Sequence, residues 1–171
     1  MAQSTFLEPE PNAYYFHLAG APLGEGSIIL PGNWGRIVRA AGWGHSSAVR
    51  ELAIEAARLE RFDTRPSRFD CLFAFPVEAE ARWFRDNANG FRWHHLFRVR
   101  LKTPSAVSFI ANANSLPPNV PFAPQWPDSY WMGVAVDTAS GAPIEKGVTE
   151  GGILCRELLT LSPLVVEEQL D

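Results

Sequence analysis

From Phe91 to Lys102 the chain alternates without interruption, and this run constrains the fold more than any other segment. Phe91, Trp93, His95, Phe97, Val99 and Leu101 fall on one side; Arg92, His94, Leu96, Arg98, Arg100 and Lys102 fall on the other. Successive side chains of a strand point to opposite faces, so this period predicts a half-buried strand with one apolar and one mostly basic face. Such a strand needs partners, and other segments offer them. Ala13 to Leu18 is aromatic-rich, and Ser27 to Leu30 is stopped by Pro31-Gly32. Phe69 to Phe75 is almost continuously apolar, as suits a strand covered on both faces. Ser105 to Ala111 adds a further strand, and Ile153 to Leu161 and Leu164 to Glu167 close the chain around a break at Ser162-Pro163.

Helical spacing is clearest from Ser47 to about Phe62. Val49, Leu52, Ala53, Ala56 and Leu59 predict a core-facing stripe, with charges on the remaining faces and Ser46 or Ser47 as the cap. Pro76 suits the first turn of a second helix, Val77 to about Asn87, which Gly90 ends. A third, short helix is expected around Asp128 to Val136. Pro31 to His45, with four glycines and two tryptophans, reads as a loop, as do Asn112 to Pro127 with its five prolines and the stretch from that short helix to Gly152. Strands outnumber helices and often follow one another directly. The expected fold class is therefore α+β, mostly antiparallel, in a single domain over residues 1–171.

Composition narrows the function classes. Hydrophobic residues make up 46% and charged residues 20%, which suits a globular chain. No apolar run reaches the roughly 20 residues of a membrane span. Met1 to Pro11 has no Lys or Arg and contains two Glu, unlike a secretory signal, so a cytoplasmic location is expected. The net charge of −4 lacks the basic excess of a protein that grips long nucleic acid, although Arg92, Arg98, Arg100 and Lys102 form a local basic strip. Cys71 and Cys155 lie in apolar segments and read as buried reduced thiols, with a disulfide as the alternative. His94 and His95 are adjacent on a predicted strand, so they point apart and cannot share a metal; a surface and a core histidine are expected, and no metal site. Phosphate-loop, dinucleotide-binding and serine-elbow motifs are missing.

Three stretches, in order, resemble the ADP-ribosyltransferase superfamily of the His–aromatic–Glu kind. The first is Tyr14-Tyr15-Phe16-His17, followed by Leu23, Gly26, Ile28 and Pro31. The second is Cys71-Leu72-Phe73-Ala74-Phe75 with its following helix, and the third is Glu157-Leu158-Leu159-Thr160-Leu161. Pro66-Ser67-Arg68 is similar to a motif of an uncharacterised bacterial group in the same superfamily. The chain departs from the pattern in having Leu18-Ala19 after the histidine where one branch has glycine, Phe73 where tyrosine is usual, and no paired acids around Glu157.

The resemblance implies two small antiparallel sheets forming a cleft with flanking helices, and NAD as a substrate whose ADP-ribose passes to a protein or nucleic-acid acceptor. Toxins, effectors and defence proteins do this, and a neutralising antitoxin or immunity protein would then be a partner. Breaking the nicotinamide–ribose bond leaves an oxocarbenium-like sugar, which a carboxylate stabilises by charge and by a hydrogen bond to the ribose. Glu157 takes that catalytic place, the alternative being a solvent-facing strand residue. His17 would hold the adenosine-side ribose, or simply be a satisfied strand-end histidine. Tyr15, or its neighbour Tyr14, and Phe73 would pack on nicotinamide, or in the core. Ser67 and Arg68 would approach the phosphates, Arg68 as a planar fork, or else pair with a helix acid. Glu157→Gln is expected to remove activity at little cost in stability. A catalytically silent nucleotide-binding or protein-interaction domain of the same fold is the competing reading, and NAD hydrolysis is a third.

Overall fold

The computed structural model describes residues 9–88, 90–113, 124–133, 135–136, 143–144 and 155–171. Within these, the strands are β1 (Tyr14–Ala19), β2 (Ile28–Ile29), β3 (Leu72–Ala74), β4 (His95–Leu101), β5 (Ser108–Asn112), β6 (Ala135–Val136), β7 (Pro143–Ile144), β8 (Arg156–Thr160) and β9 (Leu164–Gln169). The helices are α1 (Asn33–Ala41), α2 (Ala48–Arg61), α3 (Glu78–Asn87) and α4 (Trp126–Met132), with a single 3-10 turn at Gly42–Gly44. The fold is α+β, as the sequence predicts.

All pairing among the described residues is antiparallel. A four-stranded sheet runs β1-β4-β9-β2, a three-stranded sheet runs β3-β8-β5, and β6 pairs with β7. The first sheet curls toward the second where Phe16 and Phe75 exchange backbone hydrogen bonds of 2.9 and 2.7 Å. Between the sheets lies the main core, built on Tyr15, Phe97, Val99 and Val166 from one side and Leu72, Ala74, Ile110 and Leu158 from the other. The opposite face of the three-stranded sheet presents Phe73, Ala111 and Leu159 to Ile54 and Ala57 of α2 and to Tyr130 and Trp131 of α4. The Trp131 indole donates to the Ile54 carbonyl at 2.8 Å and ties the two helices together.

The predicted strand at Phe91 to Lys102 shortens to His95–Leu101, because His94 donates to the Phe91 carbonyl at 2.9 Å in a turn and leaves Trp93 85% exposed. His94 and His95 are both half-buried rather than one outside and one inside. Phe69 and Asp70 likewise form a turn before β3, Asp70 donating to the Ser67 carbonyl at 3.0 Å. Pro127 belongs to α4, not to a loop; residues 114–123 and most of the stretch from 137 to Gly152 lie outside the described residues.

Two further expectations are overturned. Pro31 to His45 is not a loop: it holds α1, which starts at Gly32 in the left-handed region (φ 84°). Its glycine content reflects close packing, since a Cβ on Gly35 would stand 1.9 Å from the Phe69 carbonyl oxygen. The apolar stripe of α2 does not face the core. Val49, Leu52 and Leu59 are 42%, 45% and 64% exposed, whereas Ala48, Glu51, Ile54 and Ala57 are buried. The helix turns Glu51 inward, where the buried Arg68 pairs with it.

Candidate functional site

The loop between α2 and β3 delivers Arg68 into the layer between the three-stranded sheet and the helices. Its turn is held locally: Ser67 Oγ donates to Glu55 Oε2 at 2.9 Å and accepts the Phe69 amide at 3.2 Å. Arg58 grips the same loop, donating to the Arg65 carbonyl at 3.1 Å and pairing with Glu55 at 2.8 Å. With that loop pinned, Arg68 projects inward and is only 5% exposed.

A guanidinium offers five donors in a rigid fork. Arg68 Nε donates to Glu51 Oε2 at 2.8 Å and Nη2 to Glu51 Oε1 at 3.4 Å, while Nη1 donates to the Tyr130 hydroxyl at 2.5 Å and to Glu157 Oε1. Tyr130 in turn donates its hydroxyl proton to Glu157 Oε1 at 2.5 Å. The guanidinium carbon stands 4.6 Å from the centre of the Phe73 ring and 5.1 Å from that of Tyr130. Arg50 adds a second cation, 3.1 Å from Glu51. Two carboxylates thus meet two guanidinium groups, so the buried cluster balances in charge. Burial works against the Arg68 cation, but Glu157 and then Glu51 outweigh it and hold its pKa well above the ordinary value. Burial also opposes the Glu51 anion, and Arg68 followed by Arg50 overcomes it, leaving that pKa below the usual glutamate value. Enclosure drives the Tyr130 phenol well upward, which keeps it a donor.

His17 reaches the same region from β1. Its Nδ1 lies 2.7 Å from the Phe73 carbonyl oxygen, and since a carbonyl only accepts, Nδ1 carries the proton. The neutral ring then offers Nε2 as an acceptor. Burial lowers its pKa, the Phe73 carbonyl pulling the other way and nearby His94 reinforcing the fall. Phe73 is therefore the meeting point: its carbonyl binds His17 and its ring packs on Arg68, which binds Glu157. Four of the predicted site residues converge on this chain of contacts.

Tyr15 and Ser67 do not join it. Tyr15 is buried between the sheets, its hydroxyl donating to the Glu10 carbonyl at 2.9 Å, while Tyr14 lies outside against Arg98. Glu157 is neither solvent-facing nor open, at 6% exposure. Its neighbour Arg156 points the other way to buried Glu80 of α3, Nε to Oε1 at 3.0 Å, as strand alternation requires. The sequence reading missed Glu51 and Tyr130. Glu51 looked like an ordinary surface charge, and only the aromatic density of Trp126 to Trp131 signalled burial near Tyr130.

Cys71 and Cys155 are free and buried, and burial pushes the Cys71 thiol up to about 12. Two residues of the basic strip are matched, Arg98 pairing with Glu168 at 3.1 Å and Arg100 with Glu167. A groove of about 360 Å³ is lined by Tyr14, Arg100, Lys102 and Glu167, whereas His17, Tyr15, Ser67, Arg68, Phe73 and Glu157 lie outside it. Among the described residues no group of three or more His, Cys, Asp or Glu is arranged to hold a metal, and no helix is long and apolar enough to cross a membrane.

Fold and site together define an α+β protein with a charge-balanced cluster buried between a small sheet and two helices. Residues 34–145 match the family described as a protein of unknown function (DUF2441), and the chain belongs to that family. The match contains Glu51, Arg68, Phe73 and Tyr130, with His17 and Glu157 outside its limits. No curated protein matches the sequence.

Proposed function

We propose that this protein is an NAD-using ADP-ribosyltransferase that passes ADP-ribose to a macromolecular acceptor. The observation that carries the reading is the convergence on Phe73: His17, Phe73 and Glu157 come from three distant segments yet are linked through one carbonyl and one guanidinium. In the reaction the bond from ribose to nicotinamide breaks, nicotinamide leaves with the electron pair, and an acceptor nucleophile bonds to the ribose carbon. His17 Nε2 accepts a hydrogen bond from the adenosine-side ribose. Glu157, oriented by Arg68 and Tyr130, binds a ribose hydroxyl and opposes the developing positive charge. The internal pairing of Arg98 and Arg100 favours a protein acceptor over a nucleic acid.

One observation favours a second reading, a catalytically silent domain of the same fold. Glu157 Oε1 already takes donors from both Arg68 and Tyr130, as in a structural clamp. Incubation with labelled NAD and cell lysate separates the two, with calorimetry for NAD binding alongside. Label transfer that Glu157→Gln abolishes supports the transferase. Binding without transfer or nicotinamide release supports the silent nucleotide-binding domain, and no binding by the folded protein overturns the transferase and leaves the protein-interaction domain.

A further inference from the structure

The outward stripe of α2 has no part in the buried cluster, and its pattern describes its own partner. Val49, Leu52, Ala56 and Leu59 are spaced three, four and three residues apart, the a/d spacing of paired helices, and all four are exposed. The stripe covers roughly 15 Å of helix at 1.5 Å per residue. Trp43, 80% exposed in the turn that packs beside α2, extends the apolar surface. A soluble protein gains by covering such a patch.

We propose that two copies of this chain pair antiparallel through α2. The four positions are symmetric about the height of residue 54: 49 and 59 are equidistant from it, as are 52 and 56. A two-fold axis there sets Val49 against Leu59 and Leu52 against Ala56, so a large side chain meets a small one at the centre, as an isologous interface requires. Charge agrees with this orientation. Glu60, its side chain 72% exposed, is brought to position 48 of the other copy, at the start of α2. Ser47 gives that start no side-chain cap; His45 takes the Ser47 and Ala48 amides at 3.1 and 2.9 Å, and a carboxylate complements the partial positive charge of the helix N-terminus. A parallel pair would instead stack Glu60 on Glu60. The existing Glu60–Arg61 contact is solvent-exposed and offers little competition.

Sedimentation equilibrium over rising protein concentration is expected to show twice the chain mass. Leu52→Lys should return the chain to a monomer that still melts cooperatively, because the side chain is outside the core, and its melting temperature should no longer depend on protein concentration. Orientation is read by cysteines: Val49→Cys mixed with Leu59→Cys should give an oxidised cross-linked pair, while either variant alone should not. The native thiols are buried and do not compete. A wild-type chain that stays monomeric, a dimer that survives Leu52→Lys, or cross-linking of each single variant with itself would overturn the proposal.

Discussion

At Arg68 the balance of the buried cluster rests on a single side chain. Replacing it with methionine strands Glu157 in the interior and leaves Glu51 with Arg50 alone, and losing one partner of a buried pair costs about 3–5 kcal/mol. Urea denaturation should show that loss for Arg68→Met, and a smaller one for Arg68→Lys, which keeps the charge but not the fork. The same geometry revises the expectation for Glu157→Gln. Glu157 is buried against Arg68, so the variant should lose both activity and about 1–3 kcal/mol of stability, read from paired turnover and denaturation curves. Acid sensitivity follows from two groups. His17 has its folded pKa below 6.5, so the unfolded chain binds the proton more readily. Its contribution is therefore complete above 6.5 and lost as pH falls toward the folded value. Glu51, lowered from 4.5, acts with the same sign in a separate window further down. Denaturation midpoints measured against pH should fall in two stages, and His17→Gln should flatten only the upper one. A wild-type profile flat through the histidine range would count against this assignment.

At the scale of elements, the sequence was most legible where local pattern and tertiary role agree. β4 and β1 appear nearly where the alternation and aromatic content place them. Pattern failed where a tertiary contact sets the choice. Glycine reads as a loop former, yet in α1 Gly35 is needed because the helix crosses the Phe69 backbone with no room for a Cβ. In α2 the apolar stripe was visible but its direction was not, because only the folded chain reveals that Arg68 calls Glu51 inside. The site was legible in the same degree: the resemblance supplied His17, Phe73, Arg68 and Glu157, while nothing local marked Glu51. Gly35→Ala tests the close approach directly. Helix propensity favours alanine by about 1 kcal/mol. The overlap with a backbone carbonyl cannot be relieved by rotating a side chain, and overpacking costs about 1–3 kcal/mol or more. The clash should win, lowering the melting temperature. A stabilised variant would mean that α1 sits farther from Phe69.

The whole molecule is closed by its most distant segments. Ile28 pairs with Val165 and Phe73 with Leu159, so neither principal sheet forms from neighbouring sequence alone. Fold class was accessible from element types, but strand order was not, since pairing across such separations leaves no periodic trace in the sequence. β9 is the keystone of the larger sheet, lying between β4 and β2. Leu164 and Val166 are fully enclosed in the inter-sheet core, and the Asp171 carboxylate accepts the Leu96 amide at 3.0 Å. Removing residues 164–171 would unpair one edge of β4, take Leu164 and Val166 out of the inter-sheet core, and leave β2, two residues long, without a partner. The truncated chain should therefore show no cooperative thermal transition and should bind a hydrophobic dye. Asp171→Ala removes only the last bond and its pairing with Arg85, and should lower the melting temperature while preserving cooperativity. A truncated chain that still melts cooperatively would mean that β1, β4 and the smaller sheet fold without β9.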